Sequence, residues 1–206
     1  MSECGGSVAM CYPDDPLPLR SECSGKALPG IDIEVRDPET GETLAHGAPG
    51  EIVARGRGVF SGYYNDPKKT EATFWEGGWF RTGDLGVLDA EGRVTFLGRL
   101  KDMLKVGGEN VAAVEIEGYL ALHPAVKMAQ VVGLPDEKYG EVPVAFIELV
   151  RDATATETEI VDFCRGEIAS FKIPLHVRFV EDWPMGATKI LKSALRDRIR
   201  AEIAPA

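Results

Sequence analysis

The segment Gly98-Arg99-Leu100-Lys101-Asp102-Met103-Leu104-Lys105-Val106-Gly107-Gly108-Glu109-Asn110 divides this chain into two halves that cannot share one architecture. Upstream, residues 1–98 carry short runs of alternating or β-branched character, Ile31 to Val35, Glu51 to Arg55 and Arg93 to Leu97, cut by glycine and proline clusters. Turn chemistry recurs at Asp37 to Glu42 and at Asp89 to Gly92, where hairpin connections belong. The one helix that fits there runs from Asp66 to Phe74, with Asp66 as cap and Pro67 at the first helical position. These features predict a β-rich subdomain, a small curved sheet or partial barrel.

Downstream, helix and strand alternate. Val111 to Leu122 has the pattern of a helix stopped by His123-Pro124, and Val126 to Leu134 and Val142 to Val150 read as strands. The second of these is almost continuously apolar, which places it centrally in a covered sheet. Thr156 and Glu159 have the spacing of a capping box before an Ile160, Cys164, Ile168 stripe. A last strand, His176 to Val180, precedes a helix striped by Leu195, Ile199 and Ile203. The expected fold class is therefore α+β: a β-rich domain over residues 1–99 followed by a small α+β domain over 100–206. The charged and glycine-rich junction between them has the composition of a hinge.

Composition narrows the function. The formal net charge of −10 argues against a nucleic-acid or anionic-membrane surface, and no apolar run approaches the ~20 residues of a membrane span. A cytoplasmic protein is expected, without a signal peptide, since Pro13, Asp14, Asp15, Pro16 and Pro18 interrupt the first twenty positions. Cys4, Cys11, Cys23 and Cys164 form no C-x-x-C pair, so free thiols are expected and a zinc site is not; His46, His123 and His176 are too scattered to change that. Lys189, Lys192, Arg196, Arg198 and Arg200 crowd one short stretch, and the arginines read as a solvated helix face.

Three stretches carry more glycine and fixed charge than a simple fold requires. Gly78-Trp79-Phe80-Arg81-Thr82-Gly83-Asp84-Leu85 presents a carboxylate just after a glycine turn, and its two oxygens can accept from two vicinal hydroxyls of a ribose. In the junction, Gly107-Gly108 lets backbone approach a ligand closely. Trp183-Pro184-Met185-Gly186-Ala187-Thr188-Lys189-Ile190-Leu191-Lys192 offers a lysine from a small-residue loop, suited to offsetting charge at an anionic phosphorus centre.

Their order and spacing carry a resemblance. GKALPGIDIEV, GEIVARG with GYYNDPKKTEATF, GWFRTGDL, GRLKDMLKVGGENV with VEIE, FKIP and WPMGATKILK occur in the order found in AMP-forming acyl-CoA synthetases. These belong to the adenylate-forming superfamily, with the luciferases and peptide-synthetase adenylation domains, and the resemblance covers essentially the whole chain. It implies a ligase that activates a carboxylic acid, of fatty or related type, with ATP to acyl-AMP and joins it to CoA. ATP or AMP, magnesium and CoA are thus the implied cofactors and substrates. By the resemblance Ser2 lies near the phosphates and Glu3 holds magnesium. Asp84 accepts the ribose hydroxyls, Arg99 is a second nucleotide contact, Lys101 is the hinge, Gly108 borders the pantetheine arm of CoA, and Lys189 is the catalytic lysine of adenylation. The same resemblance makes Lys189 a candidate for regulatory acylation.

The sequence departs from the family in two ways. The Ser/Thr/Gly-rich phosphate loop ending in Pro-Lys-Gly has no counterpart upstream of Ser2-Glu3, so the expectation is a C-terminal portion of a larger enzyme that does not form acyl-adenylate by itself. Thr188-Lys189 also stands where the family usually has Gly-Lys. Alternatives at this stage are a split subunit or a non-catalytic interaction module derived from the enzyme, and an adenylation domain that loads a carrier protein. Expected partners are a small carboxylic acid, ATP and CoA, together with the missing N-terminal part or a second copy, and no nucleic acid.

Overall fold

The computed structural model describes residues 1–203. The fold is α+β, and the chain separates into two compact units, Met1–Lys101 and a second beginning at Asp102. The last three positions of the expected second domain lie outside the described residues.

The first unit opens with a 3-10 turn at Ser2–Cys4. Strand β1 (Ala9–Met10), helix α1 (Leu17–Glu22) and strand β2 (Lys26–Ala27) follow, β1 and β2 forming a two-stranded antiparallel ribbon. Next come β3 (Ile31–Arg36), β4 (Gly50–Gly56), α2 (Pro67–Ala72), β5 (Phe74–Trp75), β6 (Trp79–Leu88) and β7 (Val94–Arg99). Asp66 caps α2 by accepting from the Lys69 amide, and Pro67 fills the first turn, where its missing N–H costs nothing. The sheet is open and antiparallel in the order β3-β4-β6, with β5 and then β7 paired along the remaining side of β6. The β1–β2 ribbon joins it on the β7 side, where Lys26 stands opposite Arg93 and the Val94 amide donates to the Gly25 carbonyl at 2.9 Å, giving the curved, β-rich subdomain expected from the sequence. Its buried residues form two small groups, Cys4, Ala54 and Phe80 beside the Phe60 and Phe74 rings, and Val35, Ile52 and Val94. Met10, Tyr12, Leu17, Tyr64 and Phe96 remain exposed.

In the second unit, β8 (Met103–Val106) and β9 (Glu109–Ala112) form a hairpin, followed by α3 (Ala113–Leu120), β10 (Val126–Asp136), β11 (Gly140–Leu149), α4 (Glu157–Cys164), β12 (His176–Phe179) and α5 (Lys192–Ile203). Strand β11 is central, antiparallel to β10 and parallel to β12. Period-two alternation sorts its side chains: Ala145 and Ile147 join Ala129, Val131, Ile116, Leu120, Ile160 and Cys164 on one face. Val142, Val144 and Phe146 join Val132, Leu134, Leu195 and Ile199 on the other. Thr156 and Glu159 complete the capping box at α4.

Four details differ from the sequence expectations. Val111 and Ala112 are strand, and the helix starts at Ala113, because Val111 is needed opposite Leu104 in the hairpin. Gly107 and Gly108 are the two turn residues of that hairpin, with φ of 61° and 89°, the mirror-image turn that matches strand twist. Ile203 is exposed while Leu195 and Ile199 are buried, so the stripe of α5 is shorter than its sequence period. Arg196 is not on a freely solvated face: its guanidinium lies 3.4 Å from Asp102, and nearby the Lys192 ammonium sits 2.6 Å from Glu117, whose same oxygen accepts the Val131 amide at 2.7 Å. Among the described residues no helix is long and apolar enough to cross a membrane.

Candidate functional site

The site of the first unit is built where β6 steps out of register. Val53 pairs with Arg81 and Glu51 with Leu85, so Ile52 alone faces Thr82, Gly83 and Asp84. On its other side β6 pairs Leu85 with Gly98 and Gly86 with Phe96, leaving Leu97 without a partner in that ladder. Irregularities of this kind re-aim side chains beside functional sites. Gly83 takes a φ of 70°, which an L side chain adopts only with strain.

One buried carboxylate organises this step. Glu51 is 1% exposed and is the charged residue in the buried set among the described residues. Its Oε2 accepts from Arg81 Nε at 3.0 Å and its Oε1 from the Gly83 amide at 3.0 Å. Arg81 also donates to the Pro38 carbonyl at 3.1 Å and stacks over the Trp75 ring at 4.3 Å. The Thr82 hydroxyl donates to the Ile52 carbonyl at 2.6 Å and accepts the Asp84 amide at 3.0 Å. Every residue from Arg81 to Asp84 is thus tied to β4 or to its neighbour, fixing the direction of the Asp84 side chain. Sequence reasoning passed over Glu51. The available signal was an acidic residue inside the apolar run Gly50-Glu51-Ile52-Val53-Ala54.

Asp84 is half-buried, opposite Arg99 in the β6–β7 ladder, with Arg99 Nε 3.1 Å from Asp84 Oδ1. That approach lacks hydrogen-bond alignment, leaving Oδ1 buried and without a hydrogen bond. Burial raises the carboxyl above the usual aspartate range, and the Arg99 charge opposes the shift without cancelling it. The neighbouring recess, of about 410 Å³, brings together Glu3, Tyr63, Arg81, Gly83, Arg99 and Lys101. Glu3, on the Ser2–Cys4 turn, accepts from the Tyr63 hydroxyl at 3.3 Å, and burial followed by the Glu3 charge raises that phenol. Ser2 is exposed on the same turn. Asp84 does not line the recess but reaches it through Arg99.

Among the described residues no cluster of three or more His, Cys, Asp and Glu could hold a metal. The single half-buried carboxylate of Glu3 fits a magnesium ion of the kind that keeps most of its waters and takes its other ligands from substrate phosphates.

Gly108 and Lys189 lie in the second unit and are described there separately. Gly108 is at the exposed hairpin turn, where an added Cβ would meet nothing within 4 Å. Lys189 is exposed at the tip of a loop closed by a Met185–Ile190 bridge, with the Gly186 amide donating to the Lys189 carbonyl at 2.8 Å. The loop stem is anchored by Trp183, whose indole donates to Glu148 at 2.7 Å. Hydrogen bonds from Lys127 and Trp183 hold the Glu148 carboxyl below the usual range.

Comparison with known proteins bears on both units. Residues 1–64 match the AMP-binding enzyme family, and residues 115–190 match the AMP-binding enzyme C-terminal domain. A putative acyl-CoA synthetase, YngI, of Bacillus subtilis is 40% identical over 96% of this chain and 36% of its own length. A mitochondrial medium-chain acyl-CoA ligase of Rattus norvegicus is 39% identical over 94% of this chain and 32% of its own. The chain therefore spans about a third of the length of these curated relatives. Among solved structures, ATP-bound MatB of Rhodopseudomonas palustris superposes with a TM-score of 0.83 at 37% identity, over 94% of this chain and 38% of that one. The o-succinylbenzoate CoA synthetase MenE of Bacillus subtilis, in complex with its acyl-adenylate intermediate, gives 0.87 at 33%, over 96% and 40%.

Proposed function

The chain is homologous over most of its length to the AMP-forming acyl-CoA synthetases of the adenylate-forming superfamily, and on that premise we propose that it carries the nucleotide-side carboxylates and the adenylation lysine of an acid–thiol ligase. The reaction is a carboxylate attack on the α-phosphorus of ATP, releasing pyrophosphate, then attack of the CoA thiol on the acyl-adenylate, releasing AMP. A fatty or related carboxylic acid is the proposed substrate. The observation that carries this reading is the register step of β6, which fixes Asp84 beside Arg99 at the edge of a recess lined by Glu3 and Lys101.

In this reading Asp84 accepts the ribose hydroxyls, and Arg99 adds a second nucleotide contact. Ser2 lies toward the phosphates. Magnesium supplies neutralisation of phosphate charge when it accompanies the nucleotide, and Glu3 is the residue that would hold it. Lys189 stabilises the charge that builds on the phosphorus oxygens during adenylation. Gly108 borders the approach of CoA, and Lys101 is the point about which the backbone turns between the half-reactions. Glu51 positions the turn that bears Asp84.

The test joins this chain to the upstream region of a homologous acyl-CoA ligase and assays a panel of carboxylic acids. Acid-dependent ATP–pyrophosphate exchange and acyl-CoA formation, both lost in Asp84→Ala, are expected. Activity indifferent to Asp84→Ala, or no acid-dependent exchange with any acid, would overturn the reading. The 206-residue chain alone is expected to show no exchange.

A further inference from the structure

Two cysteines that sequence spacing left unrelated lie side by side in the fold. Cys11 directly follows β1 and Cys23 directly follows α1, twelve positions apart, and their sulfurs are 3.8 Å from one another. Neither is sealed in a core, whereas Cys4 is 3% and Cys164 0% exposed. The chain between them is a compact surface loop whose ends meet, containing α1 and the exposed Tyr12 and Leu17. Its mouth is held shut by the ribbon, in which Met10 pairs with Lys26. The backbone there is so close that a Cβ on Gly25 would fall 2.1 Å from the Met10 carbonyl carbon. Cys23 donates to the Leu19 carbonyl at 3.2 Å and Cys11 to the Cys23 carbonyl at 3.4 Å, so both thiols are held at this mouth.

We propose that Cys11 and Cys23 are a dithiol modification site, closed to an intramolecular disulfide by a low-molecular-weight disulfide of the glutathione type and reopened by thiols. In the first step one of the two thiolates attacks the small disulfide, forming a mixed disulfide and expelling one small thiolate. In the second, the neighbouring cysteine attacks the protein sulfur of that mixed disulfide and expels the other small thiolate. Two protein thiols lose two protons and two electrons, and the small disulfide is reduced to two thiols. Burial and the neighbouring sulfur raise the Cys11 thiol, so the first step speeds up as pH rises. The second step is intramolecular between sulfurs already close together, so the mixed disulfide does not accumulate. Cys4 and Cys164, both raised by burial, Cys164 to about 11, stay reduced.

The experiment incubates the full chain with oxidised glutathione, quenches in acid, alkylates remaining thiols after denaturation and digests with trypsin without reduction. Arg20 lies between the two cysteines, so a bridged loop leaves the peptide ending at Arg20 joined to Ser21–Lys26. The expected product has this linkage through Cys11, lighter by the mass of two hydrogen atoms, with Cys4 and Cys164 alkylated. Dithiothreitol restores all four thiols. In Cys23→Ser, whose fold is checked by circular dichroism, the reaction stops at a glutathione adduct on Cys11. A stable adduct without a bridge in the unsubstituted chain, or a bridge that recruits Cys4 or Cys164, overturns the proposal.

Discussion

Removing the Glu51 carboxylate tests the account of how the Asp84 turn is held. Glu51→Ala deletes two hydrogen bonds to a charged acceptor, one from Arg81 and one from the Gly83 amide. Each is worth about 1.5–3 kcal/mol, and breaking a buried ion pair from one side costs about 3–5 kcal/mol. The Arg81 side chain is 31% exposed and keeps the Pro38 carbonyl and the Trp75 ring, so water and these neighbours recover part of the loss. The net expectation is about 2–4 kcal/mol for Glu51→Ala, and about 1–2 kcal/mol for Glu51→Gln, which keeps an acceptor for Gly83 while losing the charge. Because the chain has two units, one global unfolding curve can mix them. Hydrogen exchange by mass spectrometry at increasing urea, followed on peptides covering β4 and β6, isolates the first unit. Exchange should accelerate there and not in β10 or β11. A change of less than ~0.5 kcal/mol in Glu51→Ala, the size of an ordinary surface substitution, would refute the assignment.

Other outcomes follow from the same structure. Asp84 is raised in the folded chain, so between the unfolded and folded values the native state binds more protons and stability falls as pH rises. Asp84→Asn should therefore stabilise the first unit at neutral pH, with the gain vanishing below the ordinary aspartate value near about 3.9; a gain that persists in acid would contradict this. Thr156→Ala removes the capping box of α4 and should cost about 1 kcal/mol, read from exchange of the α4 amides. Gly107→Ala places a side chain at a φ of 61° and should cost about 1–2 kcal/mol, seen as faster exchange in β8 and β9. In the joined enzyme, Lys189→Ala should abolish pyrophosphate exchange while sparing thioester formation from supplied acyl-AMP; equal loss in both would remove Lys189 from the adenylation step.

Much of this architecture was legible because period and punctuation agreed. Asp66-Pro67 and the Thr156 to Glu159 box announced two helices whose caps form as written. The apolar run of β11 announced a central strand covered on at least one face, and in the fold both faces are covered. Where reading failed, a partner distant in sequence decided the outcome. Val111 has helical spacing with Val114, three positions on, yet hairpin pairing with Leu104 claims it for a strand. Met103 to Val106 is too short to show a period, and its Gly107-Gly108 turn looked like hinge composition. Glu51 reads only as the start of a strand, because nothing local shows that Arg81 and Gly83 meet it from thirty and more positions away. The same holds for Cys11 and Cys23, whose proximity depends on the ribbon between β1 and β2. For the candidate site, the motif order singled out the stretches, and the structure adds the scaffold on which they stand.

Leu97 sits in β7 without an opposite number in β6, and Arg99 faces Asp84 because the ladder passes over that residue instead of pairing it. A strand alternates faces with every residue, so the parity of Arg99 is a matter of counting. What keeps Arg99 across from Asp84 is thus the place where the ladder skips a residue, before any side-chain identity. Were Leu97 drawn into the ladder opposite Leu85, Gly98 would stand across from Asp84 and the guanidinium would fall on the opposite face of the sheet.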